Sequence, residues 1–214
     1  MLTIKTFTVN PLGENCHVVS SDNLEAAIID CGAKEKSEFR KISEYIENQN
    51  LQVKYLLLTH GHFDHILGLH FASEAYGLLP MMHPADTDWY NHTNEICMQV
   101  FGEGLRYPLP KLGTPLSHED TITLGTDVLT VIHTPGHTQG GVCFYSATNR
   151  ILFSGDTLFC NSIGRADLEG GNQAQLVHMI RERLLTLPED VKVYPGHGGP
   201  TSIGFEKDCN YYLR

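Results

Sequence analysis

The stretch "LLLTHGHFDHILG", Leu56 to Gly68, decides how the rest of the chain is read. The apolar run "VKYLLLTH" reads as a buried strand. It leads directly into His60, His62, Asp64 and His65. Buried polar groups are costly unless they are paired or coordinate an ion. Imidazoles at alternating positions with a carboxylate beside them point to a metal. One such block does not close a site, so further ligands have to come from elsewhere in the chain.

The same pattern recurs downstream. The apolar strands in "LTVIHTPGH", "ILFSGD" and "VKVYPGH" each end in a glycine-containing turn, and those turns carry His137, Asp156 and His197. Glycine lets the backbone fold sharply there. A strand end also holds a side chain more firmly than a loose loop does. With the first block this makes five imidazoles and two carboxylates. Three protein ligands satisfy one zinc ion, and seven suit two ions with a carboxylate between them. "SGD" and "PGH" are common turn sequences taken singly; four strand ends in series are what favour a metal. His17, His70, His83, His92, His118, His133 and His178 lack the pattern and read as packing, capping or surface residues.

Composition narrows the classes of function. The chain has 214 residues, 41% hydrophobic and 19% charged, as in a globular protein able to bury its own core. A formal net charge of -10 speaks against nucleic acid as a partner. Six cysteines without Cys-x-x-Cys spacing exclude a disulfide framework or a zinc finger, and read as small buried hydrophobes in a reducing compartment. The start "MLTIKTFTVNPLGEN" has no signal-peptide pattern. No apolar run approaches the ~20 residues of a membrane span. The expectation is a cytoplasmic protein without a membrane partner, acting on a small molecule.

Strands are expected at "TIKTFTV", "CHVVSS", "AAIIDCG", "LLPMMHP", "DVLTVIHTPG", "GVCFYSA" and "RILFSGD". In "KEKSEFRKISEYIENQN", Phe39, Ile42, Tyr45 and Ile46 share one helix face. Further helices are expected in "ILGLHFASEAYG", from Gln173 to Leu187, and in "GFEKDCNYYL". Residues 85–118 are the least legible: "ADTDWYNHTNEICMQVFG" forms one or two helices, and "EGLRYPLPKLGTPL" a long loop. Helices layered outside sheets are the expected architecture.

The chain resembles the metallo-β-lactamase-fold hydrolase superfamily through "IIDCG", "THGHFDH", "TPGHTQGG", "FSGDTLF" and "YPGHGGPTS", in the family's order. Within it, "VNPLGENCHVV", "SIGRADLEGGN" and "GHGGPTSIGFEKDCN" resemble segments of the short glyoxalase II-like branch. The resemblance implies an α/β fold, a four-layer αβ/βα sandwich, in one domain over residues 1–214. It implies that His60, His62 and His137 hold a first metal, that Asp64, His65 and His197 hold a second, and that Asp156 bridges them. Two divalent ions are implied, zinc first, with iron or manganese as alternatives. Asp64 and Asp156 are the implied catalytic carboxylates, and Asp30 a support behind the metal-bearing turns. The implied reaction is hydrolysis of a thioester such as an S-acylglutathione by a metal-bound hydroxide in a dinuclear site. Arg165 either contacts an anionic substrate or pairs with Asp167 at the base of its loop.

Full-length glyoxalase II carries an additional C-terminal helical domain that contacts glutathione. The present sequence, ending at Arg214 soon after His197, is expected to lack it. His17 stands where relatives often have Tyr, and "NYYLR" replaces the usual Asn-Pro. Two rival functions keep the same ligands. A persulfide dioxygenase of this fold would hold one iron with His60, His137 and Asp156. A non-catalytic module would bind metal without a reaction. A β-lactamase is disfavoured for want of an export signal, and a nuclease by the charge. If imidazoles hold the ions, protonating them should release metal, and a pH–rate profile should fall below about pH 6.

Overall fold

The computed structural model describes every residue from Met1 to Arg214. The first sheet holds β1 (Thr3–Val9), β2 (Glu14–Ser20), β3 (Glu25–Ile29), β4 (Gln52–Leu57) and β5 (Pro80–Met81), hydrogen-bonded in that order. The pairings β1–β2 and β2–β3 are antiparallel, and β3–β4 and β4–β5 are parallel. The second sheet contains β6 (Thr121–Leu124), β7 (Asp127–His133), β8 (Val142–Ser146) and β9 (Ile151–Gly155). A two-stranded ribbon follows, β10 (Leu158–Phe159) and β11 (Ser162–Ile163); then β12 (Lys192–Pro195) and β13 (Thr201–Ser202) complete the second sheet in the order β13-β12-β9-β8-β7-β6.

Alternation of side chains along each strand builds the layers. Val19, Ala27, Ile29 and Leu57 of the first sheet pack against Val131, Val142, Phe144 and Phe153 of the second, forming the core between the sheets. Their sequence neighbours Val18, Ile28, Leu56 and Leu58 face the other way, onto α1 (Lys36–Asn48) and α2 (Leu69–Tyr76) through Phe39, Ile42, Ile46, Leu69 and Phe71. On the far side, Cys143, Leu152 and Val193 meet Leu176, Ile180, Leu184 and Ile203. The strands β2, β3, β8 and β9 and the end of β4 are therefore buried on both faces, as continuous runs such as "AAII" and "LLL" require. The result is the four-layer αβ/βα sandwich.

Strand direction fixes where the turns gather. β3 and β4 run parallel, as do β9 and β12. β7 points the same way as β9, because both are antiparallel to β8. The carboxyl ends of β3, β4, β7, β9 and β12 therefore emerge at one edge of the sandwich. The two sheets are tied there by Val142 N donating to Thr59 O at 2.8 Å.

Several expectations are corrected. The helix expected through Leu187 is α-helical only over α5 (Gln173–Met179, following α3 and α4 below) and widens into a π-type turn over Ile180–Leu184. The strand β6 was not expected: four residues with alternating exposed threonines give too short a pattern. Residues 85–118 are as expected: two helices, α3 (Thr87–Asn91) and α4 (Thr93–Phe101), then a long loop without helix or strand. That loop is held by Tyr90 Oη donating to Pro110 O at 2.7 Å and by Lys34 paired with Glu103 at 2.7 Å. The chain closes with α6 (Ile203–Cys209). All six cysteines are free; Cys160 and Cys209 are exposed, contrary to the expectation of buried hydrophobes, while the other four are buried.

Phe153 is fully buried between the sheets. Phe153→Ala should cost about 3–5 kcal/mol of stability through lost contacts and a residual cavity. A lowered urea midpoint with an unchanged slope would show it.

Candidate metal centre

Four strand ends bring the seven ligand-type side chains together. The turn after β4 supplies His60, His62, Asp64 and His65; those after β7, β9 and β12 supply His137, Asp156 and His197. Leu56, Leu57 and Leu58 are at most 1% exposed, so the first turn is anchored on both sides of its sheet. Gly155 sits at φ +48° immediately before Asp156, and a Cβ there would collide with Thr59. Only glycine lets the second sheet approach the first so closely at this point.

Four overlapping sets of three side chains are close enough to hold an ion: His60, His62 and His137; Asp64, His65 and His197; His60, His65 and Asp156; and Glu14, Asp30 and His65; the first two share no residue. In the first, His60 Nε2 lies 3.1 Å from His62 Nδ1 and 3.3 Å from His137 Nε2. In the second, His197 Nε2 lies 3.2 Å and His65 Nε2 3.8 Å from Asp64 Oδ2. Asp156 stands between them: Oδ1 is 3.5 Å from His65 Nε2, and Oδ2 is 3.7 Å from both His137 Nε2 and His197 Nε2.

The hydrogen bonds behind the rings show which nitrogens carry lone pairs. Asp30 accepts from Thr59 N at 2.8 Å and from the Thr59 hydroxyl at 2.7 Å. With its proton committed to Asp30, the Thr59 hydroxyl can only accept from His60 Nδ1, 3.0 Å away. His137 Nδ1 donates to the carbonyl of Arg165 at 2.6 Å. His60 Nε2 and His137 Nε2 therefore both present lone pairs to each other. His65 Nδ1 donates to Asp30 at 3.0 Å, leaving His65 Nε2 and Asp156 Oδ1 buried without a hydrogen-bond partner. Acceptors that converge as His60 Nε2 and His137 Nε2 do fit a divalent cation, and the mixture of imidazoles and carboxylates around Asp156 suits zinc, iron or manganese.

Asp30 thus lies where a support was expected, joining the His60 and His65 sides of the first turn. The Arg165 guanidinium makes a two-pronged pair with Asp167, 2.8 Å at each contact, and is exposed; its backbone carbonyl is the part that touches the centre, through His137. Sequence reasoning did not single out Glu14. It is fully buried, 3.9 Å from His65 Nδ1, and neither oxygen has a hydrogen-bond partner. Burial pushes its carboxyl well above the usual range. Trp89 was missed too, and its ring meets His62 edge-on at 4.6 Å. The segment "VNPLGEN" acts as a brace. Asn10 donates to Asp64 O at 2.9 Å, and the Asn15 side chain donates to Pro195 O and Gly198 O on either side of His197.

The two groups differ electrostatically. Burial and neighbouring imidazoles keep His60 well below its ordinary protonation range, and burial takes His62 down to about 3. Burial also opposes charge on His65, but Asp156, Asp64 and Asp30 outweigh it and raise its pKa. His197 is likewise raised against burial, through its hydrogen bond to Asp64 and the charge of Asp156. Protons therefore compete for His65 and His197 at higher pH than for His60 and His62. The single acid limb expected near pH 6 should resolve into two losses. On dialysis from about pH 7 to about pH 4, metal should leave the Asp64–His65–His197 group first, as elemental analysis would measure. Simultaneous loss, or the reverse order, would contradict this assignment.

Comparison with known proteins agrees with this architecture. An uncharacterised protein of Mycobacterium tuberculosis is 38% identical, covering 99% of this chain and 98% of its own. The hydroxyacylglutathione hydrolase GloC of Haemophilus influenzae is 32% identical over 99% of this chain and 98% of its own. Among solved structures, the BLEG-1 B3 metallo-beta-lactamase superposes with a TM-score of 0.89 at 33% identity, covering 99% of both chains. TTHA1623, solved in a di-iron-bound form, gives 0.84 at 34% identity, covering 98% of this chain and 100% of its own. Residues 9–197 match the family described as the Metallo-beta-lactamase superfamily, from just before the Asn10–Asn15 brace to the last ligand-type histidine, and the chain belongs to that superfamily.

Proposed function

We propose that the protein is a metal-dependent thioester hydrolase of glyoxalase II-like type, carried by residues 1–214 as one domain. The observation that carries this reading is the pair of ligand groups sharing Asp156. His60, His62 and His137 would hold one ion, Asp64, His65 and His197 the other, with Asp156 between. Ions bound there, zinc first and iron or manganese next, supply Lewis acidity and lower the pKa of water into the neutral range.

The chain's own residues prepare the site for that chemistry. Asp30 and the Arg165 carbonyl hold the rings of His60, His65 and His137 in the tautomers that present Nε2. Asp64 and Asp156 supply negative charge that favours two cations at close range. Trp89 against His62, and Phe159 with its ring 6.3 Å from that of His197, border the centre with apolar surface suited to an acyl group. The likeness to GloC supports a thioester substrate such as an S-acylglutathione. Free cysteines fit a reducing, cytoplasmic setting. No helix is long and apolar enough to cross a membrane.

The test is metal analysis combined with a substrate panel: S-lactoylglutathione, other thioesters, a β-lactam and glutathione persulfide. Two ions per chain and turnover of a thioester are expected. His60→Ala and Asp156→Ala should each lower kcat/KM on the order of a thousand-fold. One iron per chain with oxygen uptake on the persulfide would replace the hydrolase reading with the dioxygenase one. Turnover confined to the β-lactam would place this chain functionally with BLEG-1. Unchanged activity in both variants would make the site a non-catalytic module.

A further inference from the structure

We propose that Asp86 is a positioning residue for the three-histidine group, fastening the turn that bears His60 and His62 to the turn that bears His137. The inference rests on the metal-centre reading and not on the thioester substrate. Asp86 is fully buried. Its Oδ2 accepts from Gly61 N at 2.9 Å and from the Thr138 hydroxyl at 2.7 Å; its Oδ1 accepts from Gly140 N at 2.6 Å. Gly61 lies between His60 and His62, and Thr138 follows His137. These turns leave different sheets, so one carboxylate cross-links the two halves of the ligand set.

The local sequence is shaped around this group. A Cβ at Gly61 would sit 2.8 Å from Asp86 O, and one at Gly140 would sit 2.6 Å from Asp86 Cγ. Gly140 leaves the space that the carboxylate fills, and Gly61 leaves room for the Asp86 backbone and Cβ behind it. A carboxylate is the acceptor required, because two backbone N–H groups and a hydroxyl approach it from two sides. Asparagine would turn an amide N–H toward a backbone N–H and lose at least one bond. The same short segment carries Trp89, which packs on His62.

The hydrogen bonds of Asp86 fall beside His60, His62 and His137, the members of one ligand group. The Asp64–His65–His197 group is braced separately, by Asn10 on Asp64 O, Asp30 on His65, and Asn15 around His197. Loosening the Asp86 cross-link should therefore weaken the three-histidine group while leaving the other nearly intact.

Cobalt(II) titration, followed by its visible spectrum and by calorimetry, tests this. The steps are assigned with His137→Ala and His197→Ala. Wild-type protein is expected to take two ions. Asp86→Ala should weaken the three-histidine step about 10–100-fold and leave the second within about threefold of wild type. Asp86→Asn should fall between. Ile46→Ala, a core change remote from the centre, should lower stability and leave both steps unchanged. Equal weakening of both steps in Asp86→Ala, or no weakening, overturns the proposal. Should Asp86→Ala fail to fold, Asp86→Asn and Thr138→Val decide by the same readout. Wild-type protein that takes up no cobalt would overturn the metal-centre reading and this inference with it, a result distinct from normal uptake in the Asp86 variants.

Discussion

The whole arrangement answers to one electrostatic constraint: His60 Nε2 and His137 Nε2 face each other at 3.3 Å, each with a lone pair and neither with a proton to share. Asp156 and Asp64 add carboxylate oxygens to the same small volume. Acceptors held that close repel, and a flexible chain would relieve the repulsion by moving them apart. They stay together because each follows a strand whose side chains pack into the cores. Packing in the three cores opposes the local repulsion.

Rigid mounting alone does not aim a ring. Side chains behind the ligands do that, and they divide the work by position. Asp30 orients His65 directly and His60 through Thr59, so it acts within one sheet. Asn10 and Asn15 reach from the β1–β2 hairpin to Asp64 and to the backbone flanking His197. Asp86 joins the His60–His62 turn to the His137 turn across the sheets. Each of these groups is a short polar side chain with at least one hydrogen bond to the backbone, and Asp30 and Asp86 add side-chain donors, so they are paired where they are buried.

The two ligand groups are chemically unlike. His60 and His62, buried among other imidazoles, stay neutral far into acid, while His65 and His197, facing carboxylates, hold protons more tightly. One centre therefore offers a nitrogen-rich position and a more acidic, mixed one. A shared Asp156, with one oxygen toward His65 and the other toward His137 and His197, couples them.

All seven ligand-type residues were legible in the sequence, because the signals were local: an apolar run, a glycine turn and a histidine or aspartate at its end. The four layers followed from double-sided strands and the helical face of Phe39, Ile42 and Ile46. The strand β6 and the π-type turn after Met179 were not legible, since four residues carry too little periodicity and a widened turn keeps the same buried face. Glu14, Asp86 and Trp89 were not legible either. A lone glutamate in "GEN" or aspartate in "PAD" reads as a turn or cap residue, and its partners lie far along the chain: Gly61, Thr138 and Gly140 for Asp86, His65 for Glu14. The sequence by itself determined the ligand types and the elements that carry them, because side-chain chemistry and hydrophobic period are properties of neighbouring residues. Which ligands share a group, which nitrogens point inward and which buried carboxylates hold the turns together were decided only by the tertiary structure, because those are distances between strand ends that meet only when the two sheets pack.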